Sequence, residues 1–138
     1  MNIHTASETV KTSHQFTVAI TAATTNATGV DCLGYETAKA IFYAAPTGTG
    51  TTADCKVQES SDNSTFADVT SASFTQVTTA GGAKLYVGDL ILSKRSRYLR
   101  LSFTGAGGSA AGQAYGLIEL YIPRYAPVTQ TNTAVFGV

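Results

Sequence analysis

The residues able to do chemistry are few and lie far apart along the chain. His4 and His14 are the two imidazoles. A nucleophilic triad needs a histidine inside the fold, whereas His4 sits in a polar leader and His14 at the start of the first alternating segment. Glu59 with Asp62 or Asp68 offers paired carboxylates for acid–base work. They flank Ser61-Asp62-Asn63-Ser64, where Asp and Asn act as turn formers by hydrogen bonding to their own backbone. The stretch from Asp62 to Asp68 is rich in oxygen ligands for calcium, but Phe66 breaks their alternation and the glycine of an EF-hand loop is missing. Gly81-Gly82 and Gly105-Ala106-Gly107-Gly108 separate extended segments and open no helix, so no helix N-terminus is aimed at a phosphate. No catalytic residue, cofactor or metal-ligand set is assigned, and the chain is expected not to be an enzyme.

Cys32 and Cys55 permit one disulfide. If the segments on either side of residues 46–52 pair as a simple hairpin, Cys55 lies opposite Phe42 and Cys32 lies far along the sheet. Both thiols are then expected to be reduced. Two thiols alone also do not complete a structural zinc site. Lys94-Arg95-Ser96-Arg97 is the basic cluster of the chain, and it reads as a solvated connection or as a contact for an acidic protein surface or an anionic sugar. Glu119, inside an apolar run, must face solvent or pair with a neighbour such as Arg100.

Composition narrows the function classes further. The 138 residues are 13% charged with zero formal net charge and 43% hydrophobic. A chain this long reads as one domain. Low charge with this apolar content describes a folded protein and not a disordered one. Non-specific nucleic-acid binding requires several phosphate contacts, so no nucleic-acid partner is expected. Soluble monomers usually keep their net charge away from zero, and a neutral, Thr- and Ala-rich surface suits an assembly. The first eight residues lack the basic and apolar regions of a signal peptide, and no apolar run has the length of a membrane span. Synthesis in a cytoplasm and no membrane partner are therefore expected.

The elements that must carry these residues are strands. Phe16, Val18 and Ile20 alternate with Gln15, Thr17 and Thr21, a period of 2. Residues 35–45 place Ala38, Ala40, Phe42 and Ala44 on one face and Lys39, Ile41 and Tyr43 on the other, which marks a central strand. Residues 55–60 and 65–69 form a hairpin about the polar turn. Along 84–92 the apolar phase shifts at Gly88-Asp89, which predicts a bulge or kink. Leu99, Leu101 and Phe103 alternate cleanly with Tyr98, Arg100 and Ser102. Residues 114–122 are dense in apolar side chains on both faces. The pattern predicts an all-β, antiparallel, jelly-roll-like sandwich of about seven or eight strands. Residues 14–122 form the sandwich, with an N-terminal arm over 1–13 and a C-terminal arm over 123–138. The absence of Trp disfavours an immunoglobulin core.

Two motifs, Lys56-Val57-Gln58-Glu59-Ser60-Ser61-Asp62-Asn63-Ser64-Thr65-Phe66-Ala67-Asp68-Val69 and Arg97-Tyr98-Leu99-Arg100-Leu101-Ser102-Phe103, together resemble a pairing found in structural proteins of tailed bacteriophages, in particular capsid decoration (cement) proteins. The resemblance spans roughly residues 35–123. It implies a virion structural protein, made in the host cytoplasm, that binds the outside of a phage head and stabilises it. Its partner would be the major capsid protein, and a homo-oligomer, with a trimer plausible on threefold lattice sites, would carry it. The same pairing is similar to discoidin-like carbohydrate-binding sandwiches, so a glycan- or host-surface-binding module with Tyr35, Tyr43 or Tyr115 as stacking residues is the alternative. A tail or head-completion subunit is the structural rival. Apolar side chains in the arms mark Ile3, Tyr125, Val135 and Phe136, with Arg124 beside them, as interface residues.

Overall fold

Alternating side chains make strands only where both faces find an environment, and here they do so twice. The computed structural model describes residues 9–124. It contains β1 (Lys11–Ala19), β2 (Thr24–Asn26), β3 (Val30–Asp31), β4 (Tyr35–Pro46), β5 (Thr52–Ser60), β6 (Ala67–Ser73), β7 (Val77–Thr78), β8 (Lys84–Ile91), β9 (Tyr98–Ala106) and β10 (Gly112–Pro123). One sheet has the order β1-β10-β4-β8; the other runs β2-β9-β5-β6, with β3 on β9 and β7 on β5. Every pairing is antiparallel. The fold is an all-β, jelly-roll-like sandwich. Ten strands replace the expected seven or eight because two sheet edges are built from short pieces, β2 with β3 and β6 with β7. β1 begins at Lys11, ahead of the expected boundary at residue 14, and β10 continues to Pro123.

The core lies between the sheets. Phe42, Leu99, Leu101, Phe103, Ile118 and Leu120 are buried. Phe16, Phe103, Phe42, Phe74 and Tyr86 form a chain of tilted or stacked rings with centroids 5.4, 6.1, 5.6 and 6.1 Å apart in turn. Offset pairs of this kind add to simple burial. The rings fit because β4 and β10 offer Ala38, Ala40, Ala44, Ala114 and Gly116 to them. A Cβ on Gly116 would lie 2.5 Å from the Phe16 ring and 2.9 Å from Leu101 Cδ1, so glycine is required there by close approach.

Three expectations need correction. The segment 46–52 is not a hairpin: β4 already has β10 and β8 on its two edges, so the chain crosses to the other sheet and β5 pairs with β9 and β6. Cys55 therefore stands opposite Phe103, not Phe42. Gly88-Asp89 carries no bulge, because β8 keeps unbroken register with β4 from Lys84 opposite Ala44 to Ile91 opposite Thr37. Gln15 does not face out with Thr17. A register shift between His14 and Phe16 turns it inward. Its Oε1 accepts from Leu101 N at 2.9 Å, in the gap that β2 and β3 leave along β9, and its Nε2 donates to Thr28 O at 3.4 Å. The amide thus joins the two sheets while satisfying a buried N–H.

Leu101 sits at the centre of this core with no exposed surface. Leu101→Ala is expected to cost about 2–5 kcal/mol of stability, read from urea unfolding. A loss below about 0.5 kcal/mol would contradict the packing described.

Candidate interaction surface

The groups singled out for chemistry are held apart, each with a local partner. Asp62 Oδ1 accepts from Ser64 N at 2.9 Å, Thr65 N at 2.8 Å and the Ser60 hydroxyl at 2.8 Å, closing the β5–β6 turn. Those bonds, the two backbone ones first, hold its carboxyl down at about 2. Asp68 accepts from Lys56 Nζ and Gln58 Nε2, both at 2.7 Å. Glu59 accepts from Ser96 N at 2.8 Å and pairs with Arg95 at 3.5 Å. His14 shares a 2.8 Å hydrogen bond with Thr17 Oγ1 on the exposed side of β1; His4 lies outside the described residues. Among the described residues no group of three or more His, Cys, Asp or Glu side chains could hold a metal. No helix among them is long and apolar enough to cross a membrane.

The basic cluster is largely neutralised. Arg97 grips Asp31 through two bonds of 3.0 and 2.7 Å, which lowers the Asp31 carboxyl, and its guanidinium lies 5.1 Å from the Tyr98 ring. Arg100 does not reach Glu119, which belongs to the other sheet. Its Nε donates to Gln58 Oε1 at 2.8 Å and its guanidinium covers the Phe66 ring at 4.0 Å. Glu119 instead accepts from the Tyr121 hydroxyl, which keeps that phenol protonated up to about 12.

What the structure assembles is a surface. The outward residues of the β1-β10-β4-β8 sheet fall into rows across the strands. Leu85, Tyr43 and Tyr115 form one row, and Val87, Ile41 and Leu117 the next. Then comes a polar row of Asp89, Lys39 and Glu119, with the Lys39–Asp89 ion pair at 2.8 Å. Beyond it lie Ile91, Thr37 and Tyr121. Leu85, Val87 and Ile91 are 64%, 55% and 59% exposed, and Tyr115 is 41% exposed. Tyr43 and Tyr115 stack obliquely across β4 and β10, centroids 5.7 Å apart. The sheet is therefore apolar on both faces at its centre, and contiguous exposed apolar residues of this kind mark interaction surfaces. Sequence reading placed Ile41 and Tyr43 opposite the Ala38, Ala40, Phe42 and Ala44 face, and the expected phase shift at Gly88-Asp89 left the face of Leu85 and Val87 unassigned.

At the end of the sheet where β10 stops, Arg124 N donates to Gly34 O at 2.8 Å. Arg124, Tyr35 and the segments around Leu33, Ser93 and Ser96 line an open cleft of about 570 Å³. Of the interface residues expected from sequence, Arg124 lies here. Ile3, Tyr125, Val135 and Phe136 lie outside the described residues.

Cys32 and Cys55 are both free and buried. Cys55 stands opposite Phe103, whereas Cys32, just after β3, hydrogen bonds with Arg97 at the other end of β9. Burial pushes both thiols up to about 12, so they stay protonated at neutral pH.

No protein-family model and no curated protein matches the chain. Among solved structures, it is similar to the PBSX exported protein XepA, with TM-score 0.52 and 15% identity over 99% of this chain and 45% of that one. The infectious bursal disease virus VP2 subviral particle gives TM-score 0.48 and 16% identity over 85% of this chain and 33% of that one. This chain thus spans less than half the length of either protein. The XepA likeness concerns the sandwich fold.

The buried thiols should resist a bulky thiol reagent in the folded protein, and two should titrate after unfolding without reductant. Rapid modification of either in the folded state would contradict the packing around β3 and β5.

Proposed function

We propose that this chain is a virion structural protein: a capsid decoration or cement protein that docks on the outside of a phage head and stabilises it. The observation that carries the reading is the apolar outer face of the β1-β10-β4-β8 sheet, centred on Ile41, Tyr43, Tyr115 and Leu117. A sandwich gains nothing from large apolar side chains in water. It gains when a second protein surface covers them, at about 25 cal/mol per Å². The acids and bases that might do chemistry are occupied in turns and ion pairs, which supports a binding role over catalysis. The paired motifs of β5–β6 and β9, which resemble those of phage decoration proteins, form neighbouring strands of one sheet.

In this role the major capsid protein is the partner. The mechanism is mass action: a protein that binds the assembled shell and not its dissociated subunits stabilises it by RT ln(1 + [L]/Kd) at each site. Copies made in the host cytoplasm would end on the capsid surface. The Tyr43–Tyr115 pair also suits a sugar ring, and this favours a glycan-binding module as the second reading.

Two measurements test the proposal. Mass spectrometry of purified particles from cells producing the chain should find it at a fixed ratio to the capsid protein. In co-sedimentation with those heads, Tyr115→Asp, which places a charge in the apolar face, should weaken binding about tenfold or more with an unfolding midpoint within a few degrees of the parent. Absence from particles, with Tyr115-dependent binding on a glycan array, would favour the second reading. Undiminished head binding by Tyr115→Asp would remove the face from the account.

A further inference from the structure

Four edges terminate the two sheets, and three of them are blunted. β1 carries the register shift between His14 and Phe16. On the second sheet, one edge is split into β2 and β3, of three and two residues. The opposite edge is broken by a register shift in β6, where Ser71 adopts φ 64°, and continues as the two-residue β7. Bulges and short strands are the devices by which natural sheets avoid pairing with stray strands.

β8 has none of them. It runs for eight residues without proline, and every residue is in register with β4. Its other edge has no backbone partner among the described residues. Three outward side chains, Leu85, Val87 and Ile91, are more than half exposed. A long, regular, apolar edge is a template for another strand.

The sequence of β8 indicates which strand. Leu85-Tyr86-Val87-Gly88-Asp89-Leu90-Ile91 is nearly symmetric about Gly88 in apolar character. Two copies paired antiparallel about a twofold axis normal to the sheet place residues opposite one another at equal distances from the centre. Because side chains alternate, the centre must fall on a residue if the outer faces are to match. Centred on Gly88, Leu85 meets Ile91, Tyr86 meets Leu90, Val87 meets Asp89 and Gly88 meets itself. Centring on Asp89 would set two carboxylates directly opposite, which is destabilising. Centring on Val87 would set Leu85 against Asp89 and leave Ile91 opposite Ala83.

We infer that β8 is a self-pairing edge: two copies of this chain join β8 to β8, antiparallel about Gly88, and fuse two four-stranded sheets into one continuous sheet. The outer apolar faces then run on across the twofold. The inference rests on the edge alone and does not depend on the virion reading.

The test uses the full chain. Leu85→Cys and Ile91→Cys are made as separate variants. Mixed and mildly oxidised, they should form a disulfide-linked pair, because directly opposed residues lie within disulfide reach. Either variant alone should give about a tenth of that yield or less, since its two cysteines would be about 20 Å apart along the strands. Cys32 and Cys55 are buried and do not compete. In sedimentation velocity the parent should show a concentration-dependent dimer. Val87→Asp, which sets a carboxylate opposite Asp89 of the second copy, should weaken it about tenfold or more. A parent that stays monomeric up to hundreds of micromolar would overturn the proposal. So would single-cysteine variants that cross-link as well as the mixture, or a Val87→Asp variant that associates as tightly as the parent.

Discussion

Every open β-sheet ends in a row of backbone groups that no intrasheet bond satisfies, and the manner of ending decides what a sandwich can do. In this protein the constraint is met locally at most edges. Where the gap between β2 and β3 exposes Leu101 N on β9, the Gln15 amide fills it from the other sheet. That bond needs the β1 bulge, and the bulge in turn places Phe16 over Gly116 and against Phe103. One edge correction thus orients a ring of the core. β8 receives no such correction: its outer edge stays unpaired among the described residues, and Leu85, Val87 and Ile91 stay exposed.

The distribution of volume within the first sheet follows the same logic. Its two central strands, β4 and β10, turn mostly small residues inward: Ala38, Ala40, Ala44, Ala114 and Gly116. Phe42, Ile118 and Leu120 complete that inner face. The same strands turn Ile41, Tyr43, Tyr115 and Leu117 outward. A monomer stabilised only by its own core would place the larger apolar groups inside, where each buried methylene contributes about 0.8 kcal/mol. The observed arrangement leaves room for the aromatic chain from Phe16 to Tyr86 inside and builds a second apolar layer outside. The same strands thus carry apolar side chains on both faces.

Much of this was legible in the sequence, and the failures share a cause. Leu99, Leu101 and Phe103 alternate because β9 buries one face throughout, so local period alone identified them. The β5–β6 hairpin was legible because Asp62 and its neighbours carry the turn in their own side chains. Gln15 was misplaced because a bulge is set by the partner strand, which local pattern does not contain. The crossing at 46–52 was misread because a loop has the same composition whether it returns to its own sheet or leaves for another. The phase shift at Gly88-Asp89 was misread because β8 carries apolar residues on both faces, Leu85 and Val87 outward and Tyr86 and Leu90 inward, which local pattern reads as a break. The interface residues expected at 125–138 fall outside the described residues.

The central claim is that the outer face of the β1-β10-β4-β8 sheet is covered in the functional state. Hydroxyl-radical footprinting, comparing the chain on purified particles with the chain in dilute solution, reads this directly. Oxidation of Tyr115 and Leu85 should fall severalfold on particles, while Leu33, 65% exposed but off that face, serves as the internal reference. Tyr115 and Leu85 oxidised as readily on particles as in dilute solution would contradict the account.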